Sequence, residues 1–282
     1  MGRAWLVTAA IGTLAILSVG LPAHAQGRTA TQQDVAALLD AAVAGDHRSP
    51  EARARDGFRN PKETLIFFGL QPNMTVVEVT PAAGWYTDIL APVLRERGRY
   101  VAAHFNRKGT EGQQRSRQAF IDRVKARPEV YGSVAVTSFG RGIASNIAAP
   151  GSADMVLTFR NVHNWVGAGF ADEAFQAFYT ALRPGGILGV VEHRLPEDRP
   201  DDEKSRASGY MKQSEVIRMA EAAGFRLVEA SEINANPRDT ADHPRGVWTL
   251  PPTLALGDQD RDTYVAIGES DRMTLKFVKP GG

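Results

Sequence analysis

From Met74 onward, short runs that are largely apolar on both faces alternate with stretches of helical period, and this rhythm constrains the fold more than any other feature of the chain. Strands read at MTVVEVT (74–80), RYVAAHF (99–105), SVAVTSF (133–139), ADMVLTFR (153–160) and GILGVVEHR (186–194). Phe175, Phe178 and Leu182 mark a helix before RPGG, and a further helix ends in AEAAGF (220–225). The strands RLVEASEI (226–233) and DRMTLKFVK (271–279) complete the pattern. A strand with no polar face must be covered on both sides, and helices between parallel strands provide the cover. Right-handed crossovers then make the sheet doubly wound. The expected class is α/β.

Two segments stand outside that rhythm. MGRAWLVTAAIGTLAILSVGLPAHA (1–25) has one basic residue, Arg3, then an apolar run and the small-residue site Ala23-His24-Ala25. This is the layout of a cleavable export signal, with the mature chain expected to start at Gln26 and to be periplasmic or secreted. Residues 26–60 read as a helical cap on a domain spanning 61–282, because so few apolar residues cannot form a core of their own. Within that domain residues 234–270 carry four prolines between Asn234 and Pro252 and little period, and loops of such length are commonly functional. Asn234, Asn236, Asp242, His243 and Trp248 are its candidate ligand contacts.

Charge and cysteine content narrow the function. The formal charge is +1, and Arg3 supplies it, so the mature chain is neutral and offers no basic surplus for nucleic acid. With no cysteine there are no disulfides, thiolate metal sites or cysteine nucleophiles. A small-molecule partner is expected, with no membrane contact once the leader is removed.

The ends of the strands hold the candidate chemistry, since ligands of doubly wound sheets bind beyond the carboxyl ends. Glu78 ends the first strand and TPAAG (80–84) turns into a helix. His104 ends the second strand, Asn161, His163 and Asn164 follow the fourth, and Glu192 and His193 end the fifth. A histidine titrating near neutrality suits a general base, so His163 or His193 is the expected base with Glu192 beside them. In the strand order that a family resemblance implies, the second and fifth strands lie three steps apart, roughly 14 Å, so His104 and His193 cannot share an ion. His163, His193 and Glu192 are close enough to do so, but no close-spaced ligand motif supports a metal centre and none is expected.

An acid ending the first strand, a turn closing on glycine, LRPGG and AGF together resemble a class I S-adenosylmethionine-dependent methyltransferase. The strings FFGLQP, GWYTDILAP, FRNVHNW, GVVEHR, EINANPRDTADHPRGVWTLPP and GESDRMTLKF are similar to a narrower group of exported predicted methyltransferases, over about residues 58–280. The resemblance implies a Rossmann-like sheet of seven strands in order 3-2-1-4-5-7-6, the last antiparallel, and S-adenosylmethionine as cofactor. The motif of an acid and three alternate glycines falls on Glu78, Thr80, Ala82 and Gly84, so two glycines are replaced. A methyl at Ala82 costs about 1 kcal/mol if that residue needs positive φ. Trp85 and Tyr86 follow at the helix start, where free N–H groups hold a carboxylate. The ribose-binding acid of the second strand falls on His104, which has no fixed negative charge, with Asn106 able to share the role. The resulting expectation is methyl transfer to a small molecule, with Asn161 near the cofactor. The alternative is a non-catalytic binding protein on the same scaffold.

Overall fold

The structure, a computed structural model, describes residues 1–2, 30–200 and 202–281. The expected leader, residues 1–25, lies outside the described residues apart from its first two. Among the described residues no helix is long and apolar enough to cross a membrane.

The strands are β1 (Thr75–Val79), β2 (Arg99–Phe105), β3 (Ala135–Phe139), β4 (Ala153–Phe159), β5 (Leu182–Leu195), β6 (Met211–Lys212), β7 (Arg226–Ser231) and β8 (Arg272–Val278). Their order is β3-β2-β1-β4-β5-β8-β7, with the two-residue β6 beside the end of β5. β1 to β5 run parallel, and β8 is antiparallel to both β5 and β7. Leaving β6 aside, this is the seven-strand path 3-2-1-4-5-7-6 with its last strand antiparallel. The sequence pattern misses β6 because two residues carry no period. The helix before RPGG ends at Ala181, so Leu182 belongs to β5, where it pairs with Ala153.

The pleat divides the core in two. Val77, Val79, Val101, Ala103 and Val190 face one side, under the helices Ala171–Ala181 and Gln213–Ala222. Val76, Ala102, Met155, Leu157 and Val191 face the other, under Thr87–Leu94, Glu111–Lys125 and Pro61–Phe68. Period-two alternation in β1 thus feeds two cores at once. The helix Ala171–Ala181 buries Ala174, Phe175, Ala177, Phe178 and Ala181, a single apolar stripe. Glu111–Lys125 starts on a capping box, in which Thr110 and Gln113 satisfy each other's backbone N–H.

The N-terminal helix Ala30–Ala44 lies against the second core through Val35, Leu39 and Ala42, and the short helices Pro50–Arg53 and Asp56–Arg59 follow it. Buried Arg48 ties this layer together by forking onto Asp56 at 2.8 and 2.6 Å. Residues 234–270 fold over the carboxyl edge of the sheet as a turn of 3-10 helix (Gly246–Thr249) and a short α-helix (Arg261–Ile267). Their anchor is Asp239, which accepts from Tyr210 Oη at 3.0 Å, His243 Nε2 at 2.8 Å and the Asp271 N–H at 2.7 Å.

Candidate functional site

Beyond β1 the chain turns at Thr80, Ala82 and Gly84 with φ of 52°, 52° and 85°. These are the three positions where the motif has glycine. The turn therefore keeps a glycine-type backbone path after losing two of its glycines. A left-handed conformation costs an ordinary L-residue about 1–2 kcal/mol, and a β-branched threonine there is an outlier. Replacing Thr80 and Ala82 by glycine should thus stabilise the protein by about 1–2 kcal/mol in urea unfolding, after the entropy that glycine adds to the unfolded chain. A destabilised double variant would show that the two side chains hold the turn rather than strain it.

The rest of the turn departs from expectation in two places. Gly84 does not line the cavity described below, and a side chain there would run into the Arg123 guanidinium and Phe120 rather than toward a ligand. Glycine at 84 serves the turn and that packing. His104 also faces inward. Its Nδ1 accepts the Phe105 N–H at 2.8 Å, so Nε2 carries the proton and donates to the Ala82 carbonyl at 3.1 Å. Buried completely, the ring is pushed down to about 4 and stays neutral. It braces the turn instead of meeting a ribose. Asn106 does not reach the cavity either; its Oδ1 accepts the Lys108 N–H at 2.9 Å.

A cavity of about 260 Å³ opens between the carboxyl ends of β1, β4 and β5, the cap and the residue 234–270 insert. Its floor includes Glu78, Thr80, Ala82, Tyr86 and Asn161. The Tyr86 ring stacks on Phe159 at 3.5 Å, and Trp85 lies edge-on to Tyr86 while its Nε1 donates to the Ala52 carbonyl at 3.0 Å. Glu78 turns its carboxylate under the loop, accepting from Tyr100 Oη at 2.5 Å and Thr87 Oγ1 at 3.2 Å. Burial raises this carboxyl to about 7 despite both hydroxyls. Asn161 spans the β1 and β4 ends, with Nδ2 donating to the Val79 carbonyl at 3.2 Å.

His163, Glu192 and His193 come together as expected. Glu192 is completely buried and accepts four N–H groups. Its Oε2 takes the Val162 and His163 backbone N–H at 2.5 and 3.3 Å. Its Oε1 takes the His193 N–H at 2.8 Å and His163 Nδ1–H at 3.0 Å. That last bond fixes the His163 tautomer and leaves Nε2 as an acceptor in the cavity wall. His193 shares a 2.5 Å hydrogen bond between Nδ1 and Ser270 Oγ. Burial first, then the neighbouring His163, Arg160, Arg272 and Arg59, hold His193 well below the usual histidine range. Of the two candidate bases, His163 is the one equipped to take a proton.

The three residues also have ligand atoms within 4.8 Å of one another, the spacing of a metal site. A divalent ion there would have to displace a hydrogen bond from each Glu192 oxygen it used. The carboxylate is built as an acceptor of N–H groups, not as a ligand held ready.

Two cavity residues lay hidden in the sequence. Arg59 ends the cap helix Asp56–Arg59, and Arg160 directly follows β4 with φ 61°. Arg160 stands inside FRNVHNW, but an arginine at a strand end reads as solvated. Only its positive φ, invisible in sequence, turns it inward. Of the five candidate contacts on the insert, Trp248 lines the cavity and meets the His163 ring edge-on at 6.1 Å. The others serve the fold. Asn234 Nδ2 donates to Thr64 and Thr274, Asn236 Nδ2 to the Ile267 and Glu269 carbonyls, and His243 to Asp239. Asp242 is exposed and accepts from Thr240.

Comparison with solved structures places the architecture. A SAM-dependent methyltransferase from Aquifex aeolicus is 17% identical with a TM-score of 0.52, covering 72% of this chain and 93% of its own. The fold is that of the class I methyltransferases. The cyclase SpnF shares it, at 17% identity and a TM-score of 0.55 over 89% of this chain and 97% of its own. This methyltransferase fold therefore accompanies more than one reaction, and at such identity the likeness is one of fold. No family model and no curated protein matches the chain.

Proposed function

We propose that the chain transfers a methyl group from S-adenosylmethionine to a small-molecule acceptor in this cavity, with His163 as the base. The observation that carries the reading is the His163–Glu192 pair, with Nε2 left as an acceptor, in a cavity floored by a turn of glycine-loop conformation. The cofactor fits the turn in one respect that can be stated. The Trp85 and Tyr86 backbone N–H groups have no partner among the described residues and are available to an anionic end. The cofactor's sulfonium supplies an activated methyl, so the protein's part is alignment and proton removal. Tyr86 and Phe159 form an aromatic floor, and Trp248 closes the cavity over His163. With cofactor and acceptor bound, His163 Nε2 would take the proton that the acceptor gives up. Glu192 stabilises the imidazolium that results.

A second reading, a binding protein without catalysis, is favoured by His104, which locks the Ala82 carbonyl and offers no acid for a ribose. Calorimetry with S-adenosylhomocysteine separates the two. Binding is expected, with His163→Ala leaving affinity unchanged and lowering the turnover of any acceptor by about a hundredfold. A folded protein that takes up no S-adenosylhomocysteine at millimolar concentration rejects the transferase and leaves the binding protein.

A further inference from the structure

Four arginines, Arg55, Arg59, Arg160 and Arg272, gather around a single carboxylate, Glu269. Burial alone would raise the Glu269 carboxyl, but Arg59, Arg272 and Arg55 hold it at about 2. Its charge is fully used. Arg55 Nε donates to it at 2.6 Å and Arg59 Nε at 3.0 Å, and Arg272 Nη1 lies 3.2 Å away. Arg272 is completed by the Phe58 carbonyl at 2.8 Å and the Ser270 carbonyl at 3.1 Å.

Arg59 and Arg160 are not completed. Arg59 is 1% exposed, and its Nη1 and Nη2 are both buried with no hydrogen-bond partner. Its guanidinium is held over the Trp85 ring, 4.6 Å from the centroid, which fixes the plane of the fork. Arg160 bonds through its backbone N–H to the Val191 carbonyl at 2.7 Å, while its guanidinium donates to nothing among the described residues. Both line the cavity. Burial, and the cations around them, push Arg59 down to about 9 and Arg160 to about 10. Two guanidiniums thus stand at one cavity wall, repelling each other, with the Nη1 and Nη2 groups of Arg59 unpaired.

We propose that Arg59 and Arg160 form a carboxylate-binding fork, so that the ligand of this cavity is anchored by a carboxylate. Planar N–H pairs match a carboxylate's two oxygens, and a desolvated site strengthens the bonds. The carboxylate has two possible sources, the amino-acid end of S-adenosylmethionine or an acidic acceptor. Assigning it to either rests on the transferase reading; the fork itself does not.

The test uses the folded chain and four probes: acetate, succinate, S-adenosylhomocysteine and 5′-methylthioadenosine, which lacks the amino-acid end. If the fork holds the cofactor's carboxylate, S-adenosylhomocysteine binds at least about tenfold tighter than 5′-methylthioadenosine, and Arg160→Gln erases the difference. If it holds an acceptor's carboxylate, that difference survives the substitution, while acetate or succinate binding falls by about tenfold or more. Small carboxylates that bind through the fork while both nucleosides fail would remove the transferase and keep the fork. Arg59→Gln is a second probe, although it also deprives Glu269 of a partner and risks the fold. Arg160 has no such duty, so its variant should fold. Probe affinities indifferent to Arg160→Gln in a folded protein overturn the proposal.

Discussion

Glu192→Gln is expected to lose about 3–5 kcal/mol of stability in urea or guanidinium unfolding, among the largest losses available to a single isosteric change in this protein. The carboxylate lies at 0% exposure and accepts from the Val162, His163 and His193 backbone N–H groups and from the His163 ring. A glutamine keeps one acceptor oxygen and replaces the other with an amide nitrogen that only donates. Two of the four N–H groups then face a donor, and each orphaned buried group costs about 1–3 kcal/mol. The same change frees the His163 tautomer, so Nε2 is no longer held as the acceptor. Turnover should fall with stability, and the Nδ1 proton resonance of His163 should lose its downfield position in NMR spectra. A variant within 1 kcal/mol of the wild type would mean that the carboxylate is not holding these groups together.

The second expected result is a stability difference that depends on pH. Burial raises Glu78 in the folded state to about 7, from an ordinary 4.5. A raised carboxyl contributes stability below the unfolded pKa and loses it as pH climbs through the folded one. The loss here runs from about pH 4.5 to pH 7 and reaches about 3 kcal/mol. Glu78→Gln removes the ionisation while keeping an oxygen for Tyr100 and Thr87. The variant should therefore exceed the wild type by less than about 1 kcal/mol at pH 5 and by about 3 kcal/mol at pH 8. His104, depressed to about 4, titrates in the opposite sense, losing stability as pH falls from its ordinary 6.5 toward 4. It is present in both proteins and cancels in the comparison. A gain that is the same at both pH values would show that Glu78 is ionised in the folded protein at pH 5 as well.

Much of the site was legible because strand ends are legible. Glu78, Asn161, His163, Glu192 and His193 were reached by marking where apolar runs stop, and parallel order then placed most of them on one cavity. The misreadings share a cause. His104 and Gly84 occupy motif positions, yet whether a residue at a strand end faces ligand or core depends on a backbone angle and on its neighbours. His104 found the Ala82 carbonyl, and the space beside Gly84 was filled by Arg123.

By itself the sequence determined the α/β class and the pair His163 and His193 as candidate bases, since period and residue type are local properties, while the strand path apart from β6 came from the family resemblance and the choice of His163 from the structure. The sequence is also the sole basis for the expectation of an export signal in residues 1–25. The conformation of the turn was decided elsewhere: Thr80 and Ala82 sit at positive φ because the ladder to β2 and the helix Thr87–Leu94 fix both ends of the loop. Only tertiary structure brought Arg59 from the cap to Arg160 from β4 around one overcommitted carboxylate. The surplus of positive charge exists in that arrangement alone, for it brings together residues 101 positions apart and removes water from the Arg59 Nη1 and Nη2 groups, which are left without partners.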